Sequence, residues 1–184
     1  MQASAVTGSD KNELLERDRE LTTLHEWFAR VCDDSHGRLA LVGGEAGVGK
    51  TALLQRVCDD HRGSARILWG ACDALFTPRP LGPLLDVAQA TGGELAQVVQ
   101  SGARPHEVTA ALMRELHRRA PTIVVLEDMH WADEATLDVL RLLARRAEAV
   151  PALVLASYRT TSSIMRTRCG SCSATSRPVR RSAG

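Results

Sequence analysis

The chain has 184 residues, of which 44% are hydrophobic and 3% aromatic, and a formal net charge of +1. That length supports one domain around a core of Leu, Val and Ala rather than aromatic rings. No apolar run is long enough to span a bilayer, and the opening MQASAVTGSDKNE has neither the basic nor the apolar region of a signal peptide, so a cytoplasmic chain without a membrane partner is expected.

Residues 1–13 are small and polar, and a disordered arm is expected there. From Asp18, read as an N-cap, Leu21, Leu24, Trp27, Phe28 and Val31 recur at helical spacing, and the helix should stop before Gly37. A near-continuous apolar strand, Arg38 to Val42, follows, as suits a central parallel strand covered on both faces.

That strand runs into Gly44-Glu45-Ala46-Gly47-Val48-Gly49-Lys50-Thr51, a match to G-x-x-x-x-G-K-[ST], with an apolar helical stripe of Leu53, Leu54 and Val57 behind it. A triphosphate is a dense negative charge, and a loop that wraps it must aim backbone N–H groups inward without Cβ atoms in the way. The helix beginning there adds its free N–H groups and the positive end of its dipole. In this pattern Lys50 reaches the β- and γ-phosphates of a nucleotide and the Thr51 hydroxyl ligates Mg2+.

The P-loop helix should reach about Asp60, and a second strand should span Ala65 to Gly70. Pro78, Pro80 and Pro83 then forbid regular structure until a short helix from Leu84. Gly92-Gly93 and Ser101-Gly102 punctuate the next stretch, and a helix should span Pro105 to Ala120. Ile123 to Leu126 reads as a buried strand ending in Glu127-Asp128. Two acids at such a strand end, beside a P-loop, fit a Walker B pair in which one holds Mg2+ through water and the other polarises the attacking water; a solvated turn is the bland alternative.

His130 and Trp131 occupy the turn that follows, His130 being either structural or a nucleotide sensor, and Asp133 reads as the N-cap of a helix carrying Leu137, Leu140 and Leu143. A last strand, Ala152 to Ser157, delivers Arg159 to the same sheet end, where a guanidinium either reaches the γ-phosphate or is simply solvated. The alternation of strands and helices implies an α/β fold of the P-loop NTPase class, AAA+-like, with a parallel sheet sandwiched by helices and a truncated C-terminal end.

The segments LLERDREL, GEAGVGKT, PLGPLLD, VVLEDMHWADEATLDVLRLLARR and LVLASYR, in this order and spacing, resemble the ATPase module of the large ATP-binding LuxR-type transcriptional regulators. These are MalT-like members of the STAND branch of AAA+-related P-loop ATPases, and the Orc-like AAA ATPase domain is a related likeness. The resemblance covers roughly residues 14–159, and the His-Trp-Ala-Asp-Glu continuation is its most specific part. It implies that Arg17 and Glu20 belong to a box bordering the adenine, with Glu16 in place of the expected glycine. Glu127 becomes the magnesium-side acid, Asp128 the water-polarising acid and Arg159 the γ-phosphate sensor. It also implies ATP and Mg2+ as cofactors, slow hydrolysis as a switch, and self-association of the ATPase module in the ATP state. DNA binding would belong to a C-terminal domain that this sequence does not contain.

Residues 160–184 hold five arginines and no acid, leaving 18 basic against 22 acidic residues in the rest. The body thus lacks the cationic surplus that nonspecific nucleic-acid binding draws on. The tail has no amphipathic period, and its one C-x-x-C, Cys169 and Cys172, has no second pair to complete a zinc site. It is expected to be disordered and basic, and to follow a frameshift, since a one-base shift under GC-rich codons converts it into a charged, leucine-bearing segment. A nucleic-acid arm is the runner-up. No further strand is expected after Arg159. The leading expectation is an ATP-binding, weakly hydrolysing switch module; a P-loop phosphotransferase, an Orc-like DNA-associated ATPase and a non-functional fragment are the alternatives.

Overall fold

The computed structural model describes residues 17–75, 77–119 and 121–160, together with the backbone of 166–169. The arm expected over 1–13, Glu16 and Cys172 lie outside the described residues. Helix α1 is Asp18–Asp34, strand β1 Arg38–Gly44, helix α2 Lys50–His61 and strand β2 Arg66–Ala71. Helices α3, Gly82–Thr91, α4, Gly93–Gln100, and α5, Pro105–Arg118, come next. They are followed by β3, Thr122–Glu127, α6, Glu134–Ala144, β4, Ala152–Arg159, and β5, Arg166–Cys169.

The sheet runs β2-β3-β4-β1-β5, its first four strands parallel. Alternation on the central strands divides the core into two layers. Ile123, Val125, Leu153 and Leu155 face α1 and α2, where Leu24, Phe28, Val31, Leu53, Leu54 and Val57 are buried. Val124, Leu126 and Val154 face the opposite layer with Leu84, Leu95, Leu112, Leu116 and Leu143 from α3 to α6. Covering on both sides is why these strands read as unbroken apolar runs.

Three departures from the sequence reading have physical causes. Asp18 lies one residue inside α1, with Arg17 at the N-cap position, so it complements the helix dipole rather than capping with its side chain. Helix α4 is new: it holds only Leu95 and Val99 in its buried face and is bounded by positive-φ Gly92 and Gly93 on one side and Gly102 on the other, so its signal is short and masked by glycines. The third departure is β5. Arg166–Cys169 pair antiparallel with β1, from Ala40 opposite Cys169 to Gly43 opposite Arg166, and correct both the expectation of no strand after Arg159 and that of wholly disordered residues 160–184. Such pairing satisfies main-chain groups on the β1 edge and needs no hydrophobic alternation, so four residues of it leave little trace in a sequence.

Asp133 behaves as expected. Its carboxylate accepts from the backbone N–H of Ala135 and Thr136 and from the Thr136 hydroxyl, capping α6, and also from Leu81 N–H at 3.1 Å, which ties the proline-rich loop to the same helix end. Arg66, the first residue of β2, reaches α5: Nη1 lies 2.7 Å from Glu115 Oε1 and Nη2 donates to the Glu115 carbonyl, with the side chains 18% and 10% exposed. Removing one member of such a pair strands a buried charge. Arg66→Met should therefore cost about 3 kcal/mol, read as a urea midpoint lowered by about 1–2 M at an ordinary slope; the Arg118 contact to Glu115 at 3.5 Å offers only partial replacement.

Candidate functional site

Strands β3, β4 and β1 are neighbours, and their C-terminal ends converge because the register sets Gly44 opposite Arg159 and Leu126 opposite Ala156. Ligands in parallel α/β sheets bind at that end, and there the structure has an open pocket of about 560 Å3. Ala46, Gly47, Gly49, Lys50 and Thr51 line it from the loop and α2, Asp128 and His130 from the end of β3, and Arg159 from the end of β4.

The loop is shaped by its glycines. Gly47 and Gly49 both sit at φ 75°, a left-handed conformation that side-chain-bearing residues seldom take, and Gly49 is the N-cap of α2. A Cβ at Gly49 would lie 2.7 Å from Arg17 Nη1, so the absence of a side chain there also admits the Arg17 guanidinium. The resemblance implied an adenine-bordering role for Arg17; the structure lays it over the first turn of α2. Val48 packs against Gly44, while Glu45 and Ala46 are exposed.

Lys50 is only 8% exposed. Its ammonium donates to the carbonyls of Gly44 at 3.0 Å and Glu45 at 2.7 Å. Burial pushes its pKa below the ordinary lysine value; the Asp128 carboxylate opposes that shift, Arg159 and Arg17 add to it, and Glu127 opposes it. An ammonium held among two further cations, with two of its three donors used, is poised for an anionic oxygen.

Beneath the loop the Thr51 hydroxyl donates to Glu127 Oε1 at 2.6 Å, joining α2 to β3. Glu127 Oε2 accepts from the Trp69 indole N–H at 3.1 Å. Its neighbour Asp128 points instead into the pocket, from a backbone at φ 54°, ψ 41°. Aspartate tolerates that region better than most residues, yet it stores strain of about 1–3 kcal/mol when tertiary contacts hold it. One such contact is the bond from Asp128 N–H to Ser157 Oγ at 3.0 Å, with Ser157 buried in β4. His130 Nδ1 lies 3.9 Å from Asp128 Oδ1, and its ring tilts against Trp131.

The adjacent acids thus face different surroundings. Glu127 lies under Thr51, where a hydroxyl and a carboxylate offer the hard oxygens Mg2+ takes; two protein ligands suffice for that ion because it retains water and phosphate oxygens. Asp128 faces open space, where a water molecule can reach it. The structure brings Gly47, Gly49, Lys50, Thr51, Asp128 and Arg159 to one pocket, with Glu127 and Arg17 immediately behind its walls. Trp69 and Ser157 were missed by sequence reasoning, because both act across strands and only the register reveals them. Cys58 and Cys72, by contrast, are buried thiols pushed up to about 12, mainly by desolvation, and supply no nucleophile.

Among the described residues no helix is long and apolar enough to cross a membrane. An uncharacterized protein of Rhizobium meliloti (strain 1021) is 25% identical to this chain over 190 residues, an alignment that covers 79% of the chain and 18% of that protein. The solved Aeropyrum pernix Orc1 protein in complex with DNA is similar with a TM-score of 0.53 and 22% identity, over 79% of this chain and 39% of that one. Cdc6p from Pyrobaculum aerophilum gives 0.56 and 19%, over 85% and 41%. The chain thus spans less than half the length of each of these relatives, and the two solved structures show a shared fold. Residues 13–155, from ahead of α1 into β4, match the AAA ATPase domain family, and the chain belongs to it.

Proposed function

We propose that the pocket binds ATP with Mg2+ and that the chain is the nucleotide switch module of a larger ATPase, hydrolysing slowly. The observation that carries this reading is the junction of a buried Lys50 with a Thr51–Glu127 hydroxyl–carboxylate pair at the mouth of α2. The group fits: glycine geometry leaves room for a phosphate tail, Lys50 has a donor to spare, and the α2 N-terminus adds unpaired N–H groups and positive dipole. Mg2+, when bound, neutralises charge that develops on the phosphates. The residues do the rest: Thr51 and Glu127 hold the ion, Asp128 accepts a hydrogen bond from the attacking water and orients it, and Arg159 adds positive charge beside the γ-phosphate.

The LuxR-type switch is our preferred whole-protein setting, supported by the order of the motif segments and by the acidic surplus of the body, with the module self-associating in its ATP state. An Orc-like DNA-associated ATPase is the second reading, favoured by the likeness to the Aeropyrum pernix protein solved with DNA. Titration of a fluorescent ATP analogue, with Mg2+ and with EDTA, tests the common core of both. Saturable binding tightened by Mg2+ is expected; no saturation in either buffer would sink the reading. Duplex DNA added to the ATP-bound chain separates the two settings. Salt-dependent binding by this module supports the Orc-like setting, since the LuxR-type one places its DNA contacts in another domain.

A further inference from the structure

Register places Trp69 opposite Val125 and Ala71 opposite Glu127. Trp69 and Ala71 are two residues apart on β2 and share a face, so Trp69 and Glu127 are diagonal neighbours on the α2 side of the sheet, a separation that long and aromatic side chains bridge. The bridge is made: indole N–H to Oε2, with Thr51 Oγ1 to Oε1 on the other oxygen. Each carboxylate oxygen therefore has one fixed donor and keeps a free lone pair.

This arrangement has a consequence for the hydroxyl. Thr51 has one proton, and a hydroxyl that ligates a cation must turn that proton away from it. Glu127 Oε1 accepts it only while the carboxylate plane stays in place. Glutamate has one more rotatable bond than aspartate, hence more freedom to lose on being held. Trp69 also lines an open pocket of about 180 Å3 with Cys58 and Ile67 and is only partly buried, so packing does not fully enclose it. Its N–H bond to Glu127 then fixes both partners.

We propose that Trp69 is a positioning residue for the metal site: its indole N–H locks the Glu127 carboxylate so that the Thr51 hydroxyl keeps its proton on Oε1 and its lone pairs toward a divalent cation. The inference rests on the Mg2+–ATP reading above and deepens it. The test is Trp69→Phe in the full chain, which keeps a ring and removes the N–H. Affinity for a fluorescent ATP analogue should fall about tenfold in Mg2+, the lower end for loss of a partner that orients a metal ligand, and stay unchanged in EDTA. An equal fall in both buffers would mean a merely structural ring, and a full Mg2+ gain in the variant would also overturn the proposal.

If the wild-type chain binds the analogue without any Mg2+ gain, the metal reading itself fails and Trp69 with it. Should Trp69→Phe not fold, the W27F/W131F double variant leaves Trp69 as the sole indole among the three of the chain. Mg2+ added to its ATP complex should then shift Trp69 emission, and silent emission overturns the inference.

Discussion

Lys50→Ala should sharply weaken ATP binding. The spare donor of the ammonium is placed to make a charge-assisted hydrogen bond to a phosphate oxygen, worth up to about 3 kcal/mol, so its loss weakens binding by up to about 100-fold at 1.4 kcal/mol per decade. Arg17 and Arg159 do not compensate, because one lies over Gly49 and the other is exposed at the end of β4. Stability should move differently. Burial lowers the Lys50 pKa, so the unfolded chain holds that proton more tightly than the folded one. The penalty is fully present at neutral pH and is relieved only as pH rises through the lowered folded value toward the ordinary one. Alanine removes the penalty. Gly44 O retains its bond from Thr160 N–H at 3.1 Å, and the exposed Glu45 is open to water.

Thermal melts separate the two effects. Unliganded Lys50→Ala should melt at or above the wild-type temperature. ATP at 100 times Kd stabilises the wild type by about 2.7 kcal/mol, a rise of about 5–10 °C for a domain of this size, and should leave the variant nearly unmoved. A variant that melts low without ligand would show a folding defect, and one that still gains several degrees with ATP would remove Lys50 from the phosphate site.

The loop was legible in the chain because its chemistry is local: three glycines, a lysine and a threonine within eight residues, between a strand and a helix. Glu127-Asp128 was legible for a similar reason, as acids ending a run of β-branched residues, and Asp133 because capping is a short-range event. What stayed hidden depends on which strands become neighbours. Trp69 reads as one more apolar residue of β2 until the register puts it diagonal to Glu127. Ser157 reads as a polar interruption of β4 until its hydroxyl is found on Asp128 N–H. Arg17 resembles a motif residue whose neighbour can be named only once α1 is docked against the loop, and β5 is paired through main-chain groups that carry no residue signature.

Asp128→Asn should separate binding from turnover. The substitution is conservative where the backbone is least forgiving, since asparagine shares aspartate's tolerance of the left-handed region and the φ of 54° can persist. The Ser157 bond involves only the backbone N–H of residue 128, so it too survives. What disappears is a carboxylate facing the pocket. Phosphate binding loses a nearby negative charge, and ATP affinity should hold or tighten. Turnover loses the acceptor that orients the attacking water, and a positioned base contributes about 10²–10⁴-fold, so steady-state phosphate release should fall by at least about 100-fold. Glu127→Gln should show the opposite emphasis, with the Mg2+ gain in affinity lost first, because its carboxylate lies behind Thr51 rather than toward the pocket. If Asp128→Asn instead hydrolyses ATP at the wild-type rate, the water is oriented from elsewhere, and His130, 3.9 Å from Asp128 and on the same pocket wall, becomes the group to replace next.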